Sequence, residues 1–100
     1  MTFFARFEAD ILSGKKVITI RDESESNYQV GSVVDVSTLE QGRWFCRLKI
    51  LSVQPVQFCE LNEFHAEQEN MSVAELKQVI ADIYPSIEQL YVIHYQKMDE

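Results

Sequence analysis

The sequence predicts a small α+β domain: a mostly antiparallel, strongly curved β-sheet that closes toward a barrel, with flanking helices. Three observations predict it. Apolar residues recur at helical spacing in two stretches, near the N-terminus and around residues 73–84. Four other stretches are rich in β-branched and aromatic residues and alternate in strand fashion. Few connections are long enough for a crossover, which favours antiparallel neighbours.

In chain order, Thr2 is placed as an N-cap. Phe3, Phe7 and Ile11 follow at i, i+4 and i+8, with Phe4 and Leu12 beside them and Glu8 and Asp10 on the other side. This predicts a helix over residues 3–13, ended by Gly14 in a left-handed conformation. Residues 17–21 read as a strand, residues 22–27 as a polar loop, and residues 33–37 as a second strand with Val34 and Val36 on one face. Residues 44–53 form the longest strand, with Arg47 and Lys49 on its open face and Cys46, Leu48 and Ile50 on the other. Pro55 ends or edges that strand. A short helix is expected over residues 61–66. Ser72 and Glu75 have the spacing of a capping box, and Val73, Leu76, Ile80 and Ile83 carry a helix to Tyr84, where Pro85 stops it. Residues 90–95 are the last strand, and residues 97–100 are expected to fray.

One domain accounts for residues 1–100. No apolar run approaches the roughly 20 residues of a membrane span, and charge appears too early for a secretory signal. Two cysteines, Cys46 and Cys59, are too few for a disulfide scaffold and lack metal spacing, so reduced thiols in a cytoplasmic protein are expected. The net charge of −7 is uneven: residues 1–50 carry seven basic and seven acidic side chains, residues 51–100 two and nine. A general nucleic-acid binder needs an extended basic face. Here the cations form only local clusters, Lys15, Lys16 and Arg21, then Arg43, Arg47 and Lys49. That favours a small, neutral or weakly charged ligand over an extended nucleic acid or a membrane, and a monomer is expected.

The stretch from Gly14 to Ser24 stands out. A short β-branched run is bracketed by two lysines and an Arg-Asp-Glu-Ser cluster, which reads as the floor and rim of a pocket. Each residue also has an ordinary reading: Lys16 as a solvated lysine, Thr19 as a strand former, Arg21 and Asp22 as an ion pair at a strand end. His65 and Glu69 at i, i+4 supply only half a metal site. His94 reads as structural, and neither cysteine has a base partner. Trp44, Tyr91 and Tyr95 can stack on a pyrimidine or pack a core.

The run Gly14-Lys15-Lys16-Val17-Ile18-Thr19-Ile20-Arg21 resembles the signature of ASCH domains, barrel folds related to the RNA-binding PUA domain. The blocks Thr19 to Ser26, His65 to Met71 and Val79 to Pro85 are similar to the small bacterial YqfB-type N(4)-acetylcytidine amidohydrolases. That resemblance covers nearly the whole chain. It implies Lys16 as general base, Thr19 as nucleophile and Glu69 as proton donor, with no metal or other cofactor. Arg21, Asp22, Glu23 and Ser24 are the candidate substrate-binding residues, reading the pyrimidine carbonyl. Two other readings compete, an RNA-binding and an RNA-cleaving module of the same fold.

The chemistry sets conditions. Threonine is a poor nucleophile without an adjacent base, and Lys16 is a base only if its pKa falls well below about 10.4. Burial or a second cation such as Arg21 lowers it. Glu69 must retain a proton, so Arg21 should lie nearer Lys16 or the substrate than Glu69. In a regular strand Thr19 shares a face with Val17 and Arg21, not with Lys16. Lys16 must therefore sit before the strand, at a bend that Gly14 permits, or reach round on its long stem. The three residues are expected to converge in an enclosed pocket.

Overall fold

The computed structural model describes residues 1–98. Five strands form one sheet: β1 (Thr2–Phe3), β2 (Ile18–Arg21), β3 (Val33–Thr38), β4 (Trp44–Gln57) and β5 (Gln89–Lys97). The spatial order is β1-β3-β4-β5-β2. Among the described residues only β1 with β3 is parallel; the other three pairings are antiparallel. Three helices accompany the sheet, α1 (Glu8–Leu12), α2 (Glu63–Gln68) and α3 (Val73–Ile83). The register of β4 shifts between Ile50 and Ser52, and such a bulge bends and twists a strand. The sheet curls into a half-barrel. Its two edge strands approach each other closely enough for Arg21 on β2 to donate from Nη2 to the Thr2 carbonyl on β1, at 2.7 Å.

The register of β2 against β5 assigns the two faces. Thr19 lies opposite Ile93 and Arg21 opposite Tyr91, so these share one face with Tyr95. Ile18, Ile20, Val92, His94 and Leu90 share the other. The first face looks into a core of Phe3, Phe7, Ile11, Val36, Cys46, Leu48 and Tyr95. Against the second, α2 and α3 pack a separate core of Leu61, Ala66, Leu76, Ile80 and Leu90. Strand β5 is thus buried on both sides.

Several expectations are corrected. The N-terminal helix is short, because Thr2 and Phe3 pair with Ser37 and Thr38 of β3 instead of capping a helix. A 3₁₀ turn over Ala5–Phe7 then leads into α1. The Phe3, Phe7, Ile11 stripe is nevertheless buried as a unit; Phe3 simply arrives from a strand. Strand β4 runs through Pro55 to Gln57. Beyond Ile50 it has β5 on one side only, and an edge tolerates proline. Helix α2 starts later than expected, because Asn62 is its N-cap and accepts from Phe64 N at 2.9 Å. Leu61 and Ala66 flank that cap and meet in the core, as in a hydrophobic staple. The Ser72–Glu75 capping box forms as expected. On α3 the stripe buries Leu76 and Ile80, while Ile83 faces out. Strand β5 extends to Lys97, and Met98 N donates to Arg47 O at 2.9 Å. Of the expected frayed tail, Asp99 and Glu100 lie outside the described residues.

Candidate active site

Lys16 stands ahead of β2. Gly14, at φ +81°, ends the α1 turn, and Lys16 N then bonds back to Asp10 O at 3.0 Å. The strand begins only at Ile18, which removes the parity objection. The residue is 2% exposed. Its Nζ donates to Glu69 Oε1 at 2.7 Å and to the Gln68 carbonyl at 3.4 Å, and lies 4.9 Å from the centre of the Phe7 ring. Burial pulls its pKa below the ordinary lysine value, Glu69 opposes that shift, and Arg21 adds to it.

Glu69 follows the last turn of α2. Gln68, which the sequence reading did not single out, stitches that helix end to the segment before β2. Its Oε1 accepts from Val17 N at 2.6 Å and its Nε2 donates to Lys15 O at 3.3 Å. Lys16 is thereby held between two backbone contacts. Asn70 turns the chain away at φ 57° and donates to Asp10 Oδ2 at 2.9 Å. The residue preceding Glu69 and the residue following it are both tied to the 10–17 segment.

Thr19 is 4% exposed, and its Oγ1 accepts from Arg21 Nε at 2.9 Å. Arg21 Nη1 pairs with Glu25, not with Asp22, and the guanidinium carbon lies 5.0 Å from the centre of the Phe3 ring. Glu25 also escaped the sequence reading: the i, i+4 relation to Arg21 was visible, but Arg21 sits on a strand, where that spacing carries no contact rule. The polar cluster is thus two pairs, Lys16 with Glu69 and Thr19 with Arg21. Among the described residues no hydrogen bond joins them. Among the described residues the buried Tyr95 hydroxyl has no hydrogen-bond partner, and its pKa is pushed up by burial and then by the Glu69 carboxylate, with Arg21 opposing. The phenol lies within electrostatic reach of both pairs.

Asp22, Glu23 and Ser24 follow β2 directly along the chain and line neither cleft. Glu23–Glu25 form a 3₁₀ turn after Asp22, whose Oδ1 accepts from Ser24 Oγ at 2.6 Å. Glu23 and Ser24 are exposed, and the turn is joined to the cluster through Glu25. A cleft of about 440 Å³ reaches Lys16, Gly14, Val17, His94 and Tyr95. A second, of about 610 Å³, runs along Lys15, Gln68, Asn70 and Glu75. Neither is lined by Thr19 or Glu69. Of the three residues, only Lys16 lines either cleft, and its contact is with Glu69.

His65 Nδ1 accepts from Asn62 N at 3.1 Å, so this histidine caps α2. His94 stacks on Phe64, with ring centres 6.4 Å apart. Among the described residues no group of three or more His, Cys, Asp or Glu side chains is arranged to hold a metal ion. Nor is any described helix long and apolar enough to cross a membrane. Both cysteines are free, Cys46 buried and Cys59 exposed.

The family model of the ASCH domain matches residues 1–98. The chain belongs to the ASCH domain family. Among its relatives, an "N(4)-acetylcytidine amidohydrolase" of Vibrio vulnificus is 74% identical over 98% of this chain and 94% of the relative. A protein of the same name from a Shewanella species is 56% identical over 95% of this chain and 92% of the relative. The solved ASCH domain from Lactobacillus crispatus superposes with a TM-score of 0.72 at 21% identity, over 90% of this chain and 69% of that one. A ZmASCH mutant from Zymomonas mobilis gives 0.75 at 13% identity, over 97% and 68%. These two likenesses carry the half-barrel fold and nothing further.

Proposed function

We propose that this ASCH domain is a cytoplasmic, monomeric amidohydrolase that converts N(4)-acetylcytidine and water to cytidine and acetate. The observation that carries the reading is the buried 2.7 Å contact between Lys16 and Glu69, just ahead of the strand that carries the buried Thr19. The names of relatives at up to 74% identity support the substrate. All the residues invoked come from one chain.

Amide hydrolysis needs a base for the nucleophile's proton and an acid for the leaving nitrogen. In isolation these demands conflict, since lysine must be neutral and glutamate protonated near neutral pH. The Lys16–Glu69 contact meets both with one proton. Transfer along the hydrogen bond from the ammonium to the carboxylate leaves a free amine and a carboxylic acid, with no exchange with solvent. Burial favours the free amine, because it penalises the ammonium charge of Lys16. The amine then takes the Thr19 proton as Oγ1 attacks the acetyl carbon. Collapse of the tetrahedral intermediate breaks the C–N bond, and Glu69 protonates the exocyclic nitrogen of the departing cytidine. Water, losing its proton to Glu69, next releases acetate from the threonine ester, and Lys16 returns its proton to Oγ1. The turn from Asp22 to Ser24 offers donors to the pyrimidine carbonyl.

The test is turnover of N(4)-acetylcytidine, with products separated by chromatography, for the parent and for Lys16→Ala, Thr19→Ala and Glu69→Ala. Cytidine from the parent, lost in folded variants, is the expected result. Activity retained in Thr19→Ala alone would replace the acyl-enzyme with direct attack by a water that Lys16 activates. A folded parent that releases no cytidine would sink the reading and return attention to short RNAs.

A further inference from the structure

A single side-chain amide brackets the lysine of the cluster. Gln68 is half-buried at the end of α2. Its Oε1 accepts from Val17 N at 2.6 Å, and its Nε2 donates to Lys15 O at 3.3 Å. These peptide groups flank residue 16, and a parallel neighbouring strand would engage the same two. The Val17 carbonyl in turn accepts from Tyr95 N of β5 at 3.1 Å. The backbone through Lys16 is therefore fixed by Gln68 and by β5, although β2 begins only at Ile18. Gln68 also presents its own carbonyl to Lys16 Nζ at 3.4 Å, and the next residue, Glu69, accepts from the same ammonium at 2.7 Å. One residue thus grips the backbone on both sides of the lysine and immediately precedes the lysine's acidic partner.

We propose that Gln68 is a positioning residue of this site: it clamps the peptide groups on either side of Lys16 to the end of α2 and so holds the lysine at proton-transfer distance from Glu69. This rests on the amidohydrolase reading and adds a residue to it. Lysine carries its ammonium on a flexible four-carbon stem, so the charge is placed only as well as the backbone beneath it. Glu69 sits on a different segment, 53 residues further along the chain. A proton moves between the two only while they stay within hydrogen-bond reach. Gln68 joins the two segments by a short route, with its main chain bonded to Glu69 and its side chain bonded to the lysine's neighbours. A primary amide suits that task, because it supplies an acceptor and a donor together and carries no charge. A carboxylate of the same size would keep the acceptor for Val17 N, lose the donor for Lys15 O and add a negative charge beside the ammonium. Gln68 acts on the reaction through Lys16 and Glu69.

The experiment is steady-state hydrolysis of N(4)-acetylcytidine by the parent, Gln68→Met, Gln68→Glu and Asn62→Ala, with thermal melting to establish folding and amide hydrogen exchange read at Val17. Gln68→Met keeps the length of the side chain without its amide. It should lose about 10–100-fold in kcat with KM within about threefold of the parent, the scale of a catalytic group displaced by about 1 Å. Val17 should exchange faster in that variant, because its N–H loses the Gln68 acceptor. Gln68→Glu retains that acceptor and should fall between parent and Gln68→Met, which keeps the test open if Gln68→Met fails to fold. Asn62→Ala removes the N-cap at the other end of α2 and should lower the melting temperature while holding kcat within about twofold of the parent. Equal losses of kcat in Asn62→Ala and Gln68→Met, at equal losses of melting temperature, would reduce Gln68 to a structural role and overturn the proposal. Unchanged Val17 exchange in folded Gln68→Met would overturn the clamp itself. Unchanged kcat in that folded variant, or a loss confined to KM, would overturn the positioning role and leave the amidohydrolase reading intact. A folded parent that yields no cytidine would overturn both together.

Discussion

Removal of the Glu69 carboxylate tests the central pair through stability alone. Two unit charges 2.7 Å apart attract by about 6 kcal/mol at an effective dielectric constant of about 20. Much of that is offset by the loss of hydration of Lys16, whose side chain is 1% exposed. Breaking such a pair from one side typically costs about 3–5 kcal/mol, because the remaining charge is stranded. The two sides are unequal here. Glu69→Ala strands a lysine in the core, whereas Lys16→Met leaves a carboxylate that is already 13% exposed and can be hydrated. Glu69→Ala should therefore lose about 3–5 kcal/mol in urea unfolding at pH 7, and Lys16→Met distinctly less. A domain of this size holds only about 5–15 kcal/mol in total, so the loss is easily read.

The deficit should also depend on pH with a definite sign. The Lys16 pKa is already lowered in the fold, and loss of Glu69 removes the largest influence that raises it. Between the folded and unfolded pKa values the unfolded chain binds the extra proton, so stability rises with pH across that window. Below the folded pKa the destabilisation is felt in full. The window ends at the unfolded value, 10.5, and in Glu69→Ala it reaches further down in pH than in the parent. The Glu69→Ala deficit should thus shrink as pH rises from 7 toward 10, and this pH dependence should vanish in the Lys16→Met/Glu69→Ala double variant. A Glu69→Ala protein as stable as its parent at pH 7, or a double variant with the same pH slope as Glu69→Ala, would refute the argument.

Two further outcomes are expected. Ser72→Ala removes the side chain that accepts from Glu75 N at 3.2 Å and should cost about 1 kcal/mol, lowering Tm by about 4–8 °C in a melt followed by circular dichroism. Cys59 should react with a thiol reagent at once in the native protein, whereas Cys46, 5% exposed and with its pKa raised by burial, should react only after unfolding, which a timed thiol titration measures.

Periodicity proved a better guide to burial than to backbone conformation. Phe3, Phe7 and Ile11 share one core although Phe3 belongs to a strand, because spacing records which side chains face inward and not how each turn is hydrogen-bonded. The Ser72–Glu75 cap was legible because both partners lie within one turn. The position of Lys16 was legible as a requirement: strand alternation forbade it on β2, and the structure places it before the strand starts. Gln68 and Glu25 were not legible. One reaches a segment 51 residues away in sequence, the other joins a strand to the turn after it, and local pattern specifies neither contact. The division of the polar cluster into two pairs was equally out of reach, because it depends on how the end of α2 meets the segment before β2.

The place of β2 in the strand order also bears on biosynthesis. Among the described residues it is an edge strand whose neighbour is β5, and β5 follows every other described element along the chain. A chain still on the ribosome at residue 88 holds Lys16, Thr19, Arg21 and Glu69, yet has no template to hold β2 extended or to set Thr19 opposite Ile93. Both cores also lack a wall until then, since Tyr95 belongs to one and Leu90 to the other. The nascent chain thus acquires its site only once β5 is made, when one strand completes two cores and orders the nucleophile together.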